Sequence, residues 1–321
     1  MNNYQINRTA GAVLVACAAA CLLLSNAGAQ QLPAPPMLSA RSLFSYDHDV
    51  PLNAVVTPLE STADYHAFSV HYYSVDNAMV PAVYVLPSTL PKGRIPCVIL
   101  MHGLGGNKMQ LKVMWTPLVQ KGYAVFAIDA RLHGDRAALT PLALFGLAPY
   151  TTREMLVDTV IDLRRGIDFL QSQAAIDPNK IGYCGFSMGG ILGTLLSAVD
   201  KRVQAPILCL AGGDWKLMLM TSQLPQAVQA RASGGLPAAI ETAIDPIDPV
   251  HWVARISPRP VLFINGDQDT IVPVACANEL KADARAPKQV FMYHGGHVPE
   301  GAEMLRVFAE ISGWLAQNLK P

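Results

Sequence analysis

A chain of 321 residues, 51% hydrophobic and 15% charged, has material for a large core and is too apolar for intrinsic disorder. Basic and acidic residues are equal at 24 each, so there is no net field of one sign to attract nucleic acid or an anionic membrane. A small uncharged substrate suits that balance better than a polyanion, and the length allows one large α/β domain or two small ones.

Residues 1–29 read as a removable export signal. Arg8 precedes an almost wholly apolar run from Ala10 to Leu24, followed by Ser25, Asn26 and the A-x-A pattern Ala27-Gly28-Ala29 ahead of Gln30. The run is about 15 residues, short of the ~20 that a spanning helix needs. Stable membrane insertion is therefore not expected, and the mature chain is expected to be periplasmic or secreted. A lipoprotein is the competing reading, because Leu14-Val15-Ala16-Cys17 resembles a lipobox; apolar sequence continues past Cys17 to Leu24, however, whereas a lipidated cysteine ends such a run. Loss of this segment leaves 23 cations, 24 acids and the cysteines Cys97, Cys184, Cys209 and Cys276. Export permits disulfides, but there is no C-x-x-C pair and no zinc-like spacing, so buried free thiols are expected.

Residues 30–64 are expected to form an N-terminal leader, proline-rich at its start. Alternating apolar and polar residues over 65–75 and 78–86 predict an antiparallel hairpin. Short apolar runs at 95–101, 123–128, 181–186, 206–210, 261–264 and 290–293 then alternate with helical periods. A mostly parallel sheet covered by helices on both faces requires that α/β pattern. Leu156, Val160, Leu163, Ile167 and Leu170 recur at helical steps opposite Asp158, Asp162, Arg164 and Arg165, and Met304, Phe308, Ile311 and Leu315 repeat the spacing. Between 212 and 258 the rhythm breaks into Pro, Ala and Met. This stretch is expected to be a small helical insertion or lid within one domain spanning 65–321.

Four motifs carry chemistry. Gly185-Phe186-Ser187-Met188-Gly189 follows a strand and opens a helix, the setting of a nucleophile elbow, where glycines permit a tight strained turn and the helix dipole favours negative charge. His102-Gly103-Leu104-Gly105-Gly106 follows the 95–101 strand. Its backbone N–H groups are free to hold an oxyanion, and Leu104 with Met188 is the expected donor pair. Asp269, in Gly266-Asp267-Gln268-Asp269-Thr270, is the expected acid; Asp267, suited to stabilising the turn, and Asp214, one strand earlier, are the alternatives. His297, after Gly295 and Gly296, is the expected base, because an imidazole with an ordinary pKa near 6.5 accepts and returns a proton at neutral pH. His294 is read as capping a strand end. In the Asp129–Arg136 loop, Arg131, His133 and Asp135 are either a structural ion-pair cluster, the favoured reading, or substrate contacts.

Taken together, H-G-L-G-G, G-F-S-M-G-G, G-D-Q-D-T-I-V-P and G-G-H in the order Ser…Asp…His resemble the α/β-hydrolase superfamily over about residues 65 to 319. Asp248-Pro249 and Ser257-Pro258-Arg259-Pro260 add a similarity to the branch holding acetyl xylan esterases, dienelactone hydrolases and prolyl-oligopeptidase-type catalytic domains. Dienelactone hydrolases proper carry a cysteine at the elbow. Here the elbow residue is Ser187, and Cys184 lies three positions earlier. The mature chain also leaves no room for the propeller of prolyl-oligopeptidase-type enzymes.

The resemblance implies an α/β-hydrolase fold and a serine hydrolase, of carboxylesterase type, using Ser187, Asp269 and His297 without a metal or organic cofactor. An amidase or peptidase with the same triad is the alternative within enzymes, and a catalytically inactive binding module the alternative outside them. Trp215, Leu217, Met218, Leu219 and Met220 are dense enough to form an apolar lid, or equally a helix packed on the core.

Overall fold

The structure, a computed structural model, describes residues 42–137, 151–235 and 238–321. The expected export signal, with Cys17, and the proline-rich start of the leader lie outside the described residues. Nine strands form one sheet in the order β1-β2-β3-β5-β4-β6-β7-β8-β9. The strands are β1 Val55–Ser61, β2 Tyr65–Tyr73, β3 Met79–Pro87, β4 Ile95–Met101, β5 Ala124–Ile128, β6 Ile176–Phe186, β7 Val203–Cys209, β8 Val261–Gly266 and β9 Lys288–Tyr293. β1, β2 and β3 pair antiparallel, β3 joins β5 antiparallel, and the strands from β5 through β9 are parallel.

The helices are α1 Trp115–Val119, α2 Thr151–Ser172, α3 Met188–Val199, α4 Trp215–Thr221, α5 Pro225–Ala232, α6 Ala238–Ile244, α7 Val274–Asp283 and α8 Gly301–Asn318. Every residue of β4 and β5 is buried, because helices cover both faces of the sheet. Side chains of β4 alternate between two cores. Cys97, Ile99 and Met101 join Leu163 and Ile167 of α2 and Leu192 and Leu196 of α3, while Val98 and Leu100 join Trp115 and Leu118 of α1 and Ile311 and Leu315 of α8. Each such aliphatic side chain contributes about 1.5–3 kcal/mol by leaving water. Cys97, Cys184, Cys209 and Cys276 are all buried and free.

The hairpin read from the sequence is present, with Tyr65 opposite Pro87 and Tyr73 opposite Met79. The leader is not structureless, however. It holds β1, which pairs with β2, and a 3-10 turn at Ser42–Phe44 whose Phe44 ring is fully buried and edge-on to Trp252 at 5.1 Å. The sheet therefore begins ahead of residue 65. β1 escapes sequence reading because it is an edge strand exposed along nearly its whole length, so no apolar alternation marks it.

The loop after β5 is structural, with partners other than those the sequence suggests. Arg131, His133 and Asp135 form no ion pair with one another. Arg131 donates through Nε and Nη2 to the two carboxylate oxygens of Asp162 on α2, at 2.8 and 3.0 Å, and Arg136 Nη1 donates to Asp162 at 2.7 Å. Asp135 accepts from Lys108 Nζ, and the buried His133 places Nδ1 against the Arg131 carbonyl at 2.8 Å.

Asp162 is fully buried and is the shared anion of two guanidinium groups. Replacing Asp162 with Ala leaves Arg136 without a carboxylate and Arg131 with Asp158 alone, at 3.7 Å, and urea unfolding is expected to show a loss of about 3–5 kcal/mol. A loss below ~1 kcal/mol would show that this loop is held by something else.

Candidate active site

Six parallel strands end on one side of the sheet, and strand order reverses direction around β4, where the chain crosses to β5 on one side and β6 on the other. The crevice outside such a switch point is where open α/β sheets place ligands. Ser187 follows β6, Leu104 follows β4, Asp269 follows β8 and His297 follows β9.

Ser187 has φ 56° and ψ −116°, a backbone state disfavoured for any residue with a Cβ. Its surroundings hold it there. Ser187 N–H donates to the Cys209 carbonyl of β7 at 2.9 Å, and its carbonyl accepts from Ile191 N–H at 3.0 Å as α3 begins. A Cβ at Gly185 would strike the Gly189 carbonyl, and one at Gly189 would strike the Met101 carbonyl at the end of β4. The elbow glycines thus let α3 start directly against β4 and β6.

The hydroxyl so displayed meets His297, with Ser187 Oγ and His297 Nε2 2.9 Å apart. His297 Nδ1 lies 2.8 Å from Asp269 Oδ2. The other Asp269 oxygen accepts from the N–H groups of Ile271 and Val272 at 2.9 and 3.0 Å. With its side chain 1% exposed, this carboxylate is aimed and fully occupied.

Both alternative acids are employed elsewhere. Asp267 accepts from Gly295 N–H and pairs with His294 Nδ1 at 3.0 Å each, which lowers its carboxyl from the usual range and raises the His294 imidazole. His294 therefore serves the turn rather than a strand cap. Asp214 caps α4 by accepting from Leu217 N–H at 2.9 Å.

The glycine-rich loop after β4 is braced from beneath. Ala130 N–H donates to His102 Nε2 at 3.1 Å, so the ring's proton is on Nδ1, which donates to the Gly103 carbonyl at 2.8 Å. Asp129 accepts from Lys108 N–H at 2.7 Å and Lys108 Nζ at 2.8 Å. Met188 is the first residue of α3, where an N–H has no intrahelical acceptor. Among the described residues, neither Leu104 N–H nor Met188 N–H is engaged by a protein acceptor.

Ser187 and His297 open into a cleft of about 430 Å³, within the usual range for small-molecule sites. Its walls are mainly Leu104, Leu111, Met114, Ile271, Met304 and Phe308, with Gln110 as the added polar side chain and no charged group. Sequence reasoning missed these walls, since they come from four separate segments. Leu210 also lines the cleft and carries φ 58°, a strained backbone no motif marks.

The insertion is helical, as expected, but the residues suspected of forming a lid do not line this cleft. Trp215, Met218 and Leu219 face a separate small cavity inside the insertion, and Met220 is exposed. Leu224 is the insertion residue that reaches Ser187's cleft. The helix packs against α5, with Trp215 also against the main core, and composition does not reveal which partner such a helix takes. Among the described residues, no cluster of His, Cys, Asp and Glu is arranged to hold a metal ion, and no helix is long and apolar enough to cross a membrane.

The sequence pattern of the dienelactone hydrolase family matches residues 80–298. A Bacillus subtilis (strain 168) protein named as hydrolase YtaP is 25% identical over 219 residues, which cover 64% of this chain and 71% of that one. The fold is similar to that of an acetyl xylan esterase from Paenibacillus sp. R4, with a TM-score of 0.69 at 19% identity over 85% of this chain and 92% of the other. Acetyl xylan esterase 1 from Thermoanaerobacterium sp. JW/SL YS485 gives 0.70 at 19% identity, over 85% and 89%. At such identities these likenesses establish the fold.

Burial pushes the His102 imidazole down to about 4, whereas in an unfolded chain it protonates near 6.5. Unfolding then takes up a proton in that window, so the stability tied to neutral His102 is complete above pH 6.5 and is lost as pH falls toward 4. Urea unfolding at pH 7 and pH 5 is expected to show this decline, and His102→Asn should flatten it. Equal slopes in the two proteins would remove His102 as its source.

Proposed function

The chain belongs to the dienelactone hydrolase family of esterase-like hydrolases, and from that premise we propose that it cleaves small carboxylic esters through an acyl-enzyme on Ser187. One observation carries this: an unbroken line from Ser187 Oγ through both nitrogens of His297 to a buried Asp269 carboxylate, opening into an uncharged apolar cleft.

With Asp269 holding the Nδ1 proton, His297 Nε2 is free to accept the Ser187 proton as Oγ attacks the ester carbonyl. Charge developing on the carbonyl oxygen is met by the N–H groups of Leu104 and Met188, each worth roughly 3–4 kcal/mol in such a role. Collapse breaks the bond to the alcohol, which leaves with the proton from His297. Water then gives a proton to His297, attacks the acyl carbon and releases the acid, and Ser187 recovers its proton. The lack of a lining cation favours neutral esters over substrates bearing a carboxylate near the scissile bond. The same proposal takes the chain from Ser42, which includes β1, to residue 321 as one catalytic domain with 212–258 inserted, and residues 1–29 as an export signal that delivers it to the periplasm or medium.

Ser187→Ala is expected to lower turnover of p-nitrophenyl esters by about 10⁴–10⁶-fold with unchanged circular dichroism, and to abolish fluorophosphonate labelling. Asp269→Asn should cost roughly 10⁴-fold and Asp267→Asn only a few-fold, measured as kcat/KM. Anilides cleaved as fast as esters would redirect the assignment to amide hydrolysis. Separately, mass spectrometry of protein recovered from the periplasm should find Gln30 at the N-terminus; intact residues 1–29 would overturn the export signal.

A further inference from the structure

The cleft at Ser187 does not end at its own walls. A second apolar cavity of about 70 Å³ lies between α1 and α8, and it shares Val113, Met114 and Phe308 with the cleft. Beyond those three, this half-open hollow is lined by Pro117, Leu118 and Ile311, with Ser312 and Lys121 as its only polar side chains. Three shared side chains make the two hollows neighbours, with Met114 and Phe308 as the threshold between them.

Two physical points identify an occupant. The hollow's lining offers water one hydroxyl beside the stem of an exposed lysine, so covering it with hydrocarbon removes apolar surface from water at little polar cost. The compartment therefore suits hydrocarbon. Its volume is about half the roughly 150 Å³ at which an apolar cavity admits benzene, which is room for a few methylenes and not for a ring. In addition, Val113 and Val298, both on the cleft's lining, stay largely exposed at 68% and 60%, an apolar entrance in the absence of ligand.

We propose that the substrate is an ester with a linear, uncharged hydrocarbon arm, which passes from Ser187 between Met114 and Phe308 into the α1–α8 compartment. This rests on Ser187 hydrolysing esters, and it adds a chain-length determinant remote from the reacting atoms. Each methylene buried there strengthens binding about fourfold, so the preference for longer chains rises stepwise until the compartment is full. The arm is either the acyl chain or the alcohol; the chemistry recognised is the same.

Two ester series separate these sources: p-nitrophenyl esters from acetate to dodecanoate, and acetates of linear alcohols from methyl to decyl. Wild-type kcat/KM is expected to climb with length in one series and then level off. Ser312→Phe, which fills the distal compartment, should lower the long-to-short ratio in that series by about tenfold or more. Phe308→Ala, which widens the threshold, should move the plateau to longer chains. Circular dichroism and urea unfolding report that both variants fold. A ratio unchanged by both substitutions would overturn the compartment while leaving ester hydrolysis in place. Absence of turnover on every ester, with no fluorophosphonate adduct on Ser187, would overturn the hydrolytic assignment and the compartment with it.

Discussion

The backbone at Ser187 is the constraint around which the molecule is arranged. A φ of 56° with ψ of −116° costs of order 1–3 kcal/mol and would relax if the chain were free to do so. It cannot relax, because β7 holds the amide, α3 holds the carbonyl, and the close approach of Gly189 to β4 leaves no room to turn back. The Tyr183 hydroxyl, buried under the elbow, adds a 2.5 Å hydrogen bond to the Gly189 carbonyl. A core closed on both faces of the sheet supplies the energy that keeps this turn strained. The hydroxyl therefore stands in one place before any substrate arrives, and no reorganisation is needed at the moment of reaction.

The remaining groups reach that hydroxyl across long sequence separations, 110 residues for His297 to Ser187 and 28 for His297 to Asp269. Parallel strands make this possible by delivering successive loops to the same edge. The loops then brace one another. Asp129 and His102 tie the β5 loop to the glycine-rich loop after β4, so a candidate oxyanion donor is held from below. Asp267, passed over as the acid, ties the β8 loop to Gly295 and His294, two positions before His297. Asp267 thus orients the loop that carries His297 through that loop's first residues.

The parallel strands, helices α2 and α8, and the elbow were legible because each has a local signature: an apolar run, a repeat of three and four, or glycines flanking a serine. β1 was not, since an exposed edge strand has no buried face to mark it. The partners of Arg131 were not legible either. Asp135 is four residues away and Asp162 is 31, yet α2 brings Asp162 to the guanidinium while Asp135 turns to Lys108. Likewise the apolar run from Trp215 to Met220 reads equally as a lid or as a helix packed on the core, and only the structure shows its helix against α5 with Trp215 on the core.

By itself the sequence determined the fold class, the identity of the strained serine, the order of serine, aspartate and histidine, and the zero net charge of the chain. These follow from periodicity, from glycine's unique tolerance of close approach, and from residue type. The tertiary structure alone decided which of Asp214, Asp267 and Asp269 faces His297, because three carboxylates at strand ends differ only in where their loops point. It also decided the shape of the cleft and of the apolar hollow beside it between α1 and α8. Those walls are assembled from side chains far apart in the chain, and no local rule places Met114 beside Phe308.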